Sequence, residues 1–118
     1  MYKEGKYEGE FKNSLRNGKG IMYYNNDNKY EGEWKNDVKQ GKGIMYYKNG
    51  NKYEGEWKKD VKERKGIMYY KNGNKYDGEY RDNVRKKGIY IFLSGNKYIG
   101  EFNDKRNGKG VFYYNNGN

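Results

Sequence analysis

Gly43-Ile44-Met45-Tyr46-Tyr47, followed five residues later by Lys52-Tyr53-Glu54-Gly55-Glu56-Trp57, is the stretch on which the fold turns. In the second block the tyrosine, glycine and tryptophan alternate with Lys52, Glu54 and Glu56, and period-two alternation over six residues marks a half-buried strand. The first block is apolar in both phases, so its strand needs contacts on both faces, as a curved or rolled sheet supplies. Between them lies Asn49-Gly50, a hairpin dipeptide favoured because type I′ turns require positive φ at both central positions. A two-residue loop there puts Ile44 and Tyr46 on the face of Tyr53, Gly55 and Trp57. A three-residue loop puts Met45 and Tyr47 there, and the pattern alone leaves both registers open.

Both blocks recur. The second appears as Lys6-Tyr7-Glu8-Gly9-Glu10-Phe11 and Lys29-Tyr30-Glu31-Gly32-Glu33-Trp34, then drifts to Lys75-Tyr76-Asp77-Gly78-Glu79-Tyr80 and Lys97-Tyr98-Ile99-Gly100-Glu101-Phe102. The first recurs from Gly20, Gly66, Gly88 and Gly110, and the turn dipeptide recurs as Asn72-Gly73, Asn116-Gly117, Ser94-Gly95 and Asn26-Asp27. A fixed period of 23 residues, with the fourth and fifth repeats each one residue shorter before the apolar block, means a one-dimensional array whose function belongs to an extended surface. Ten strands about 4.8 Å apart give an array of about 45 Å, with equivalent residues of successive repeats about 10 Å apart. The glycine at the centre of each second block weakens a strand unless a ring or a neighbouring backbone needs the space.

The 118 residues carry a net charge of +10 and are 32% hydrophobic, a composition near the disordered class, but aromatics held at fixed offsets argue for order. There is no cysteine and no histidine, which removes thiol nucleophiles, imidazole bases and the usual transition-metal ligands, so neither cofactor nor metal is expected. No signal-peptide region and no long apolar run occurs, and the reading that follows is a cytoplasmic protein whose contact with membrane or cytoskeleton is peripheral. The abundance of lysine and asparagine fits codon bias of an AT-rich genome.

Tyr-x-Gly-x-Trp/Phe, followed by Gly-x-Gly, an aromatic run and Asn-Gly, resembles the MORN (membrane occupation and recognition nexus) repeat, in about five copies starting near residues 7, 30, 53, 76 and 98 and covering 1–118 as one array. The resemblance implies an all-β, elongated, single-layer antiparallel meander of stacked hairpins with an aromatic groove. It also implies a role in scaffolding, partner capture or association with acidic lipid, without catalysis in the repeats. Such arrays also serve as regulatory parts of larger enzymes such as phosphatidylinositol phosphate kinases. The chain departs from the pattern at Arg64-Lys65-Gly66 and Lys86-Lys87-Gly88, which stand where Gly-Lys-Gly occurs elsewhere, and in the dipeptides Asn13-Ser14, Asn36-Asp37, Lys59-Asp60, Asp82-Asn83 and Asp104-Lys105, which replace the family's Asn-Gly after the aromatic. It stops at Asn118, where a sixth Lys-Tyr would begin, as a fragment of a longer array would.

Glu54 and Glu56 lie about 7 Å apart on one face, a spacing that invites a paired-carboxylate mechanism. The pair recurs as Glu8/Glu10 and Glu31/Glu33, and catalysis needs no such copies, so a solvated charge ladder is the reading kept. The partner-binding surface expected from the aromatic groove is Tyr30, Trp34, Tyr53, Trp57, Tyr76 and Tyr80, which combine large apolar area with a polar handle. An anionic-surface site is expected at Lys58, Lys59, Lys62, Arg64 and Lys65 together with Arg81, Arg85, Lys86 and Lys87, whose loops lie within about a Debye length of each other. The partner is then an extended or helical protein segment, with anionic phospholipid as the alternative. Nucleic acid is disfavoured because the aromatics stand at fold-defining positions. The last strand, from Gly110 to Tyr114, has no charge from Val111 onward, and its unprotected edge suggests a tail-to-tail homodimer.

Overall fold

The computed structural model describes residues 3–102 and 109–115. Ten strands run β1 (Gly5–Lys12), β2 (Leu15–Tyr24), β3 (Lys29–Lys35), β4 (Val38–Tyr46), β5 (Lys52–Lys58), β6 (Val61–Tyr69), β7 (Lys75–Arg81), β8 (Val84–Ile91), β9 (Lys97–Glu101) and β10 (Gly110–Tyr113). They form one antiparallel sheet in sequence order, the expected meander, with extents of 57 × 23 × 19 Å. The Cα radius of gyration is 16.3 Å, well above the ~13 Å of a compact domain of this size. Asp104-Lys105 and Asn116-Gly117 lie outside the described residues.

The even-numbered strands begin earlier than the apolar blocks, and the two ends of the sheet are closed by different kinds of turn. At Asn49-Gly50 the connection is a three-residue loop. The Gly50 amide donates to the Tyr47 carbonyl, the Tyr47 amide donates to the Asn51 carbonyl, and only the glycine has positive φ, at 97°. That loop sets Met45 opposite Tyr53, so the Met45 register is the one realised. Asn72-Gly73 and Ser94-Gly95 repeat the arrangement. The two-residue turns with positive φ at both positions lie at the other end of the sheet, in Asn13-Ser14, Asn36-Asp37, Lys59-Asp60 and Asp82-Asn83. Asparagine and aspartate tolerate that region because their short polar side chains bond locally.

These side chains have definite work. Asp37 Oδ1 accepts from the Arg16 amide, Asp60 Oδ1 from the Lys39 amide at 2.8 Å and Asn83 Oδ1 from the Lys62 amide at 2.7 Å, tying each repeat to the one before. At the opposite end Asn28, Asn51, Asn74 and Asn96 accept the amides of Lys48, Lys71, Leu93 and Asn115. Their abundance therefore has a structural cause beyond codon bias: they bond backbone groups that the meander leaves open.

Gly9, Gly20, Gly32, Gly43, Gly55, Gly66, Gly78, Gly88, Gly100 and Gly110 pair across successive strands as one unbroken row. A methyl at Gly32 would overlap the Gly43 Cα and stand 2.7 Å from the Lys42 carbonyl oxygen. Into the space of the missing side chains lie the tyrosines. The Tyr30 hydroxyl donates to the Glu33 carbonyl at 2.9 Å and that of Tyr53 to Glu56 at 3.0 Å, so each ring crosses the glycine two residues along its own strand. Tyr7, Tyr76 and Tyr98 do the same.

The sheet folds along this row. A straight nine-residue strand spans about 30 Å, more than either short dimension of the molecule. Lys39, beside the two-residue turn, reaches the Tyr24 hydroxyl, beside the three-residue loop, at 3.3 Å on the aromatic face. The two arms therefore close over that face, called inner below.

Next to the row each of the first three odd-numbered strands places one residue against three: Glu10 stands opposite Asn17-Gly18-Lys19, Glu33 opposite Gln40-Gly41-Lys42 and Glu56 opposite Glu63-Arg64-Lys65. The middle residue is left-handed, with φ 94° at Gly18 and Gly41 but 60° at Arg64. In the fourth hairpin the missing residue reduces the bulge to Lys86-Lys87 and deletes the left-handed position. Both departures from Gly-Lys-Gly thus have a local account. Arg64→Gly is expected to stabilise the array by about 1 kcal/mol, read from urea or thermal unfolding midpoints, because a left-handed non-glycine residue costs about that much. Gly55→Ala, which drives a methyl against the Gly66 Cα, is expected to lose about 1–3 kcal/mol in the same assay.

Candidate functional site

The inner face is filled by its own aromatics. Tyr7, Trp34, Tyr30, Trp57, Tyr53, Tyr80, Tyr76, Phe102 and Tyr98 form one chain of edge-to-face contacts with centroids 5.1–5.5 Å apart. Each such pair contributes about 0.5–1.5 kcal/mol beyond its buried area. The six residues expected to form a partner-binding groove belong to this chain. Tyr30, Tyr53 and Tyr76 are 0% exposed and Trp34, Trp57 and Tyr80 are 3–5% exposed. The alternation that identified them as special is the signature of a core, and the polar handles of all but Tyr80 are spent inside. The Trp34 and Trp57 indoles donate to the Gly20 and Gly43 carbonyls. Tyr80 replaces tryptophan at the fourth position, and its buried hydroxyl has no hydrogen-bond partner.

The mouth of the inner face is closed by cations. Arg16, Lys39, Lys62 and Arg85 occupy equivalent places opposite Phe11, Trp34, Trp57 and Tyr80. The Arg16 guanidinium lies 4.4 Å from the Trp34 ring centre, Lys39 Nζ 5.2 Å from Trp57, Lys62 Nζ 5.4 Å from Tyr53 and the Arg85 guanidinium 5.1 Å from Phe102. Lys62 Nζ also donates to the Tyr47 hydroxyl at 3.1 Å. Arg16 pairs with Asp37 at 2.7 Å and Lys39 with Asp60 at 3.5 Å, whereas at Lys62 the corresponding turn residue is the neutral Asn83. Lys62 and Arg85 therefore belong to the inner face, apart from the rest of the expected anionic-surface cluster. Lys58, Lys59, Arg64, Lys65, Arg81, Lys86 and Lys87 are exposed.

The outer face carries an open groove of about 860 Å³ whose floor is the glycine row from Gly9 to Gly66. One wall is the cross-strand ladder Glu8, Ile21, Glu31, Ile44, Glu54, Ile67, Asp77. The other holds Lys19, Glu33, Lys42, Glu56 and Lys65. Six carboxylates thus face three lysines in a chain whose total charge is +10. Glu33 accepts the Lys42 amide at 2.7 Å, as Glu10 accepts that of Lys19, so the second glutamate of a motif caps the bulge as well as facing solvent. Glu31, Glu54, Glu56 and Asp77 make no ion pair among the described residues. The sequence reading missed this groove. Its signal was the isoleucine of the apolar block, which a strand facing one core alone would not require; Ile21, Ile44 and Ile67 remain partly exposed here.

The MORN repeat family model matches residues 7–29, 30–52, 53–75 and 98–118. The chain belongs to the MORN repeat family. The unmatched stretch, 76–97, spans the β7–β8 hairpin, which keeps the register of the other repeats but lacks the left-handed bulge residue and has Tyr80 for tryptophan. No curated protein matches the chain. MORN repeats are generally interaction modules for proteins and lipids, and proteins built from them are typically non-enzymatic. Among the described residues no helix is long and apolar enough to cross a membrane, and no group of acidic side chains has the form of a metal site.

Closing the arms leaves an imprint on the titration of the inner face. Burial raises the Tyr24 hydroxyl to about 12, helped by Asp60, and that of Tyr76 to about 12 against the opposing charge of Arg85. Burial also raises Tyr30, Tyr47, Tyr53, Tyr70 and Tyr80 above the ordinary 10.0. It lowers Lys39, with Asp60 opposing, and Lys62. A tyrosine raised in the folded state stabilises fully below pH 10 and loses that contribution as pH climbs toward its folded value. The lysines act in the opposite sense, adding stability as pH rises toward 10.5. Denaturant midpoints followed from pH 8 to 12 are therefore expected to hold up to about pH 10 and then fall steeply, with several tyrosinates appearing in the same transition by absorbance. Ionisation of all sixteen tyrosines near pH 10 while the fold persists would contradict the closed inner face.

Proposed function

We propose that this protein is a non-enzymatic scaffold that holds a segment of a partner protein in the outer, glycine-floored groove. The observation that carries the reading is the lining: isoleucines and carboxylates, of which Glu31, Glu54, Glu56 and Asp77 make no ion pair among the described residues, border an open cleft over more than three repeats, while the aromatics of the inner face are consumed by packing. Glycines at the floor let a partner's main chain approach the sheet closely. Ile21, Ile44 and Ile67 supply apolar contact, and the excess of carboxylates favours a basic segment and disfavours an acidic one. The rest of the molecule is basic, so the groove attracts such a segment only at short range.

A random peptide library displayed on phage tests this. The array is expected to enrich lysine- and arginine-rich peptides, and Glu31→Lys with Glu54→Lys, both exposed and outside the hydrogen-bond network of the fold, is expected to abolish the enrichment. Acidic consensus peptides, or peptides that bind the double variant equally well, would contradict the reading.

A further inference from the structure

We propose that the occupant of the outer groove is a polyproline II segment with a basic residue at every third position; this rests on the reading of the groove as a binding site and adds its conformation and register. The groove has a measuring rule built into it. Glu8, Glu31, Glu54 and Asp77 stand on alternate strands along one wall, with Ile21, Ile44 and Ile67 on the strands between. Strands about 4.8 Å apart place these carboxylates about 9.6 Å from one another, and about 29 Å from first to last.

Three regular conformations can be set against that rule. Polyproline II has three residues per turn and rises about 3.1 Å per residue, so one face repeats every ~9.3 Å and drifts by only ~0.9 Å over the four carboxylates. An α-helix repeats its face at seven residues, about 10.5 Å, and drifts by ~2.7 Å; with its side chains it is about 10–12 Å wide. The two walls of the groove descend from rows on either side of one glycine, about 7 Å apart at the backbone. A β-strand repeats its face every ~6.7 Å and meets the carboxylates at no constant register. Polyproline II alone keeps step.

The second wall fits the same occupant. Lys19, Lys42 and Lys65 recur with the same spacing opposite the carboxylates. A polyproline II chain makes no internal hydrogen bonds, so its carbonyls are open to donors of this kind. Its basic side chains then meet Glu31, Glu54 and Asp77, none of which is ion-paired among the described residues. Its apolar side chains meet Ile21, Ile44 and Ile67. Low conformational entropy before binding limits the cost of ordering such a segment in a shallow groove.

The test compares fluorescently labelled dodecapeptides of one composition and charge by anisotropy against the whole chain. In one, Pro-Pro-Lys is repeated four times; in the others the four lysines are placed at every second position or gathered at one end. The first is expected to bind at least tenfold more tightly than its isomers at low salt, and Glu31→Gln with Glu54→Gln is expected to remove that preference. Equal binding of all isomers that is lost in the Glu→Gln pair overturns the register while leaving a groove for basic segments intact. Absence of binding by every isomer, or binding unchanged by the Glu→Gln pair, overturns both.

Discussion

The row of glycines that crosses all ten strands is the constraint from which the rest of the structure follows. Where neighbouring residues on paired strands both lack a Cβ, the backbones approach closely and a tyrosine ring lies across the gap, its hydroxyl bonded three residues along its own strand. That ring is then met edge-on by the tryptophan, tyrosine or phenylalanine of its own strand and by that of the next repeat. A single sheet has no second layer to bury its apolar face. Folding along the glycine row makes each arm the cover of the other, and the aromatic chain becomes a core that continues from repeat to repeat. The stability of such an array is a sum over neighbours, which suits a molecule whose strands pair in sequence order.

Much of this was legible from the residues. Alternation in Lys52–Trp57 and its copies located the odd-numbered strands, and the period gave the order of the meander. The glycine inside each block pointed to close packing, and the resemblance to MORN repeats named the family before any geometry was in hand. Three matters were hidden for physical reasons. Asn49-Gly50 reads as a type I′ turn because such dipeptides often form one, yet register is decided by whether Met45 or Ile44 is better placed under the tyrosines. Lys39, Lys62 and Arg85 look like surface charge in a sequence, because snorkelling over a ring is a property of the fold and not of the residue. The left-handed residue of the bulge is plain as Gly18 and Gly41, but Arg64 conceals it.

Burying the aromatics also redirects the functional question. An array whose tyrosines and tryptophans were open would recognise partners by stacking, and the most informative residues of the motif would be the site. Here those residues make the scaffold. On the proposed reading, recognition falls to positions the motif specifies only as partners of the strand: the isoleucines of the outer face, the first carboxylate of β1, β3, β5 and β7, and the lysines across the groove. Such a division lets the repeat hold its fold constant while the outer ladder varies in charge and apolarity, as it does where Ile99 takes the place of the aspartate or glutamate found in earlier repeats.

Collisional quenching of tryptophan fluorescence tests the account at its centre, since Trp34 and Trp57 are the two tryptophans of the chain and both lie in the closed inner face. Acrylamide is predicted to quench the folded protein several-fold less efficiently than the same chain in concentrated denaturant, with blue-shifted emission. Quenching and emission close to those of the unfolded chain would mean that the inner face is an open aromatic groove, and would contradict the fold-over on which the assignment of the outer groove depends.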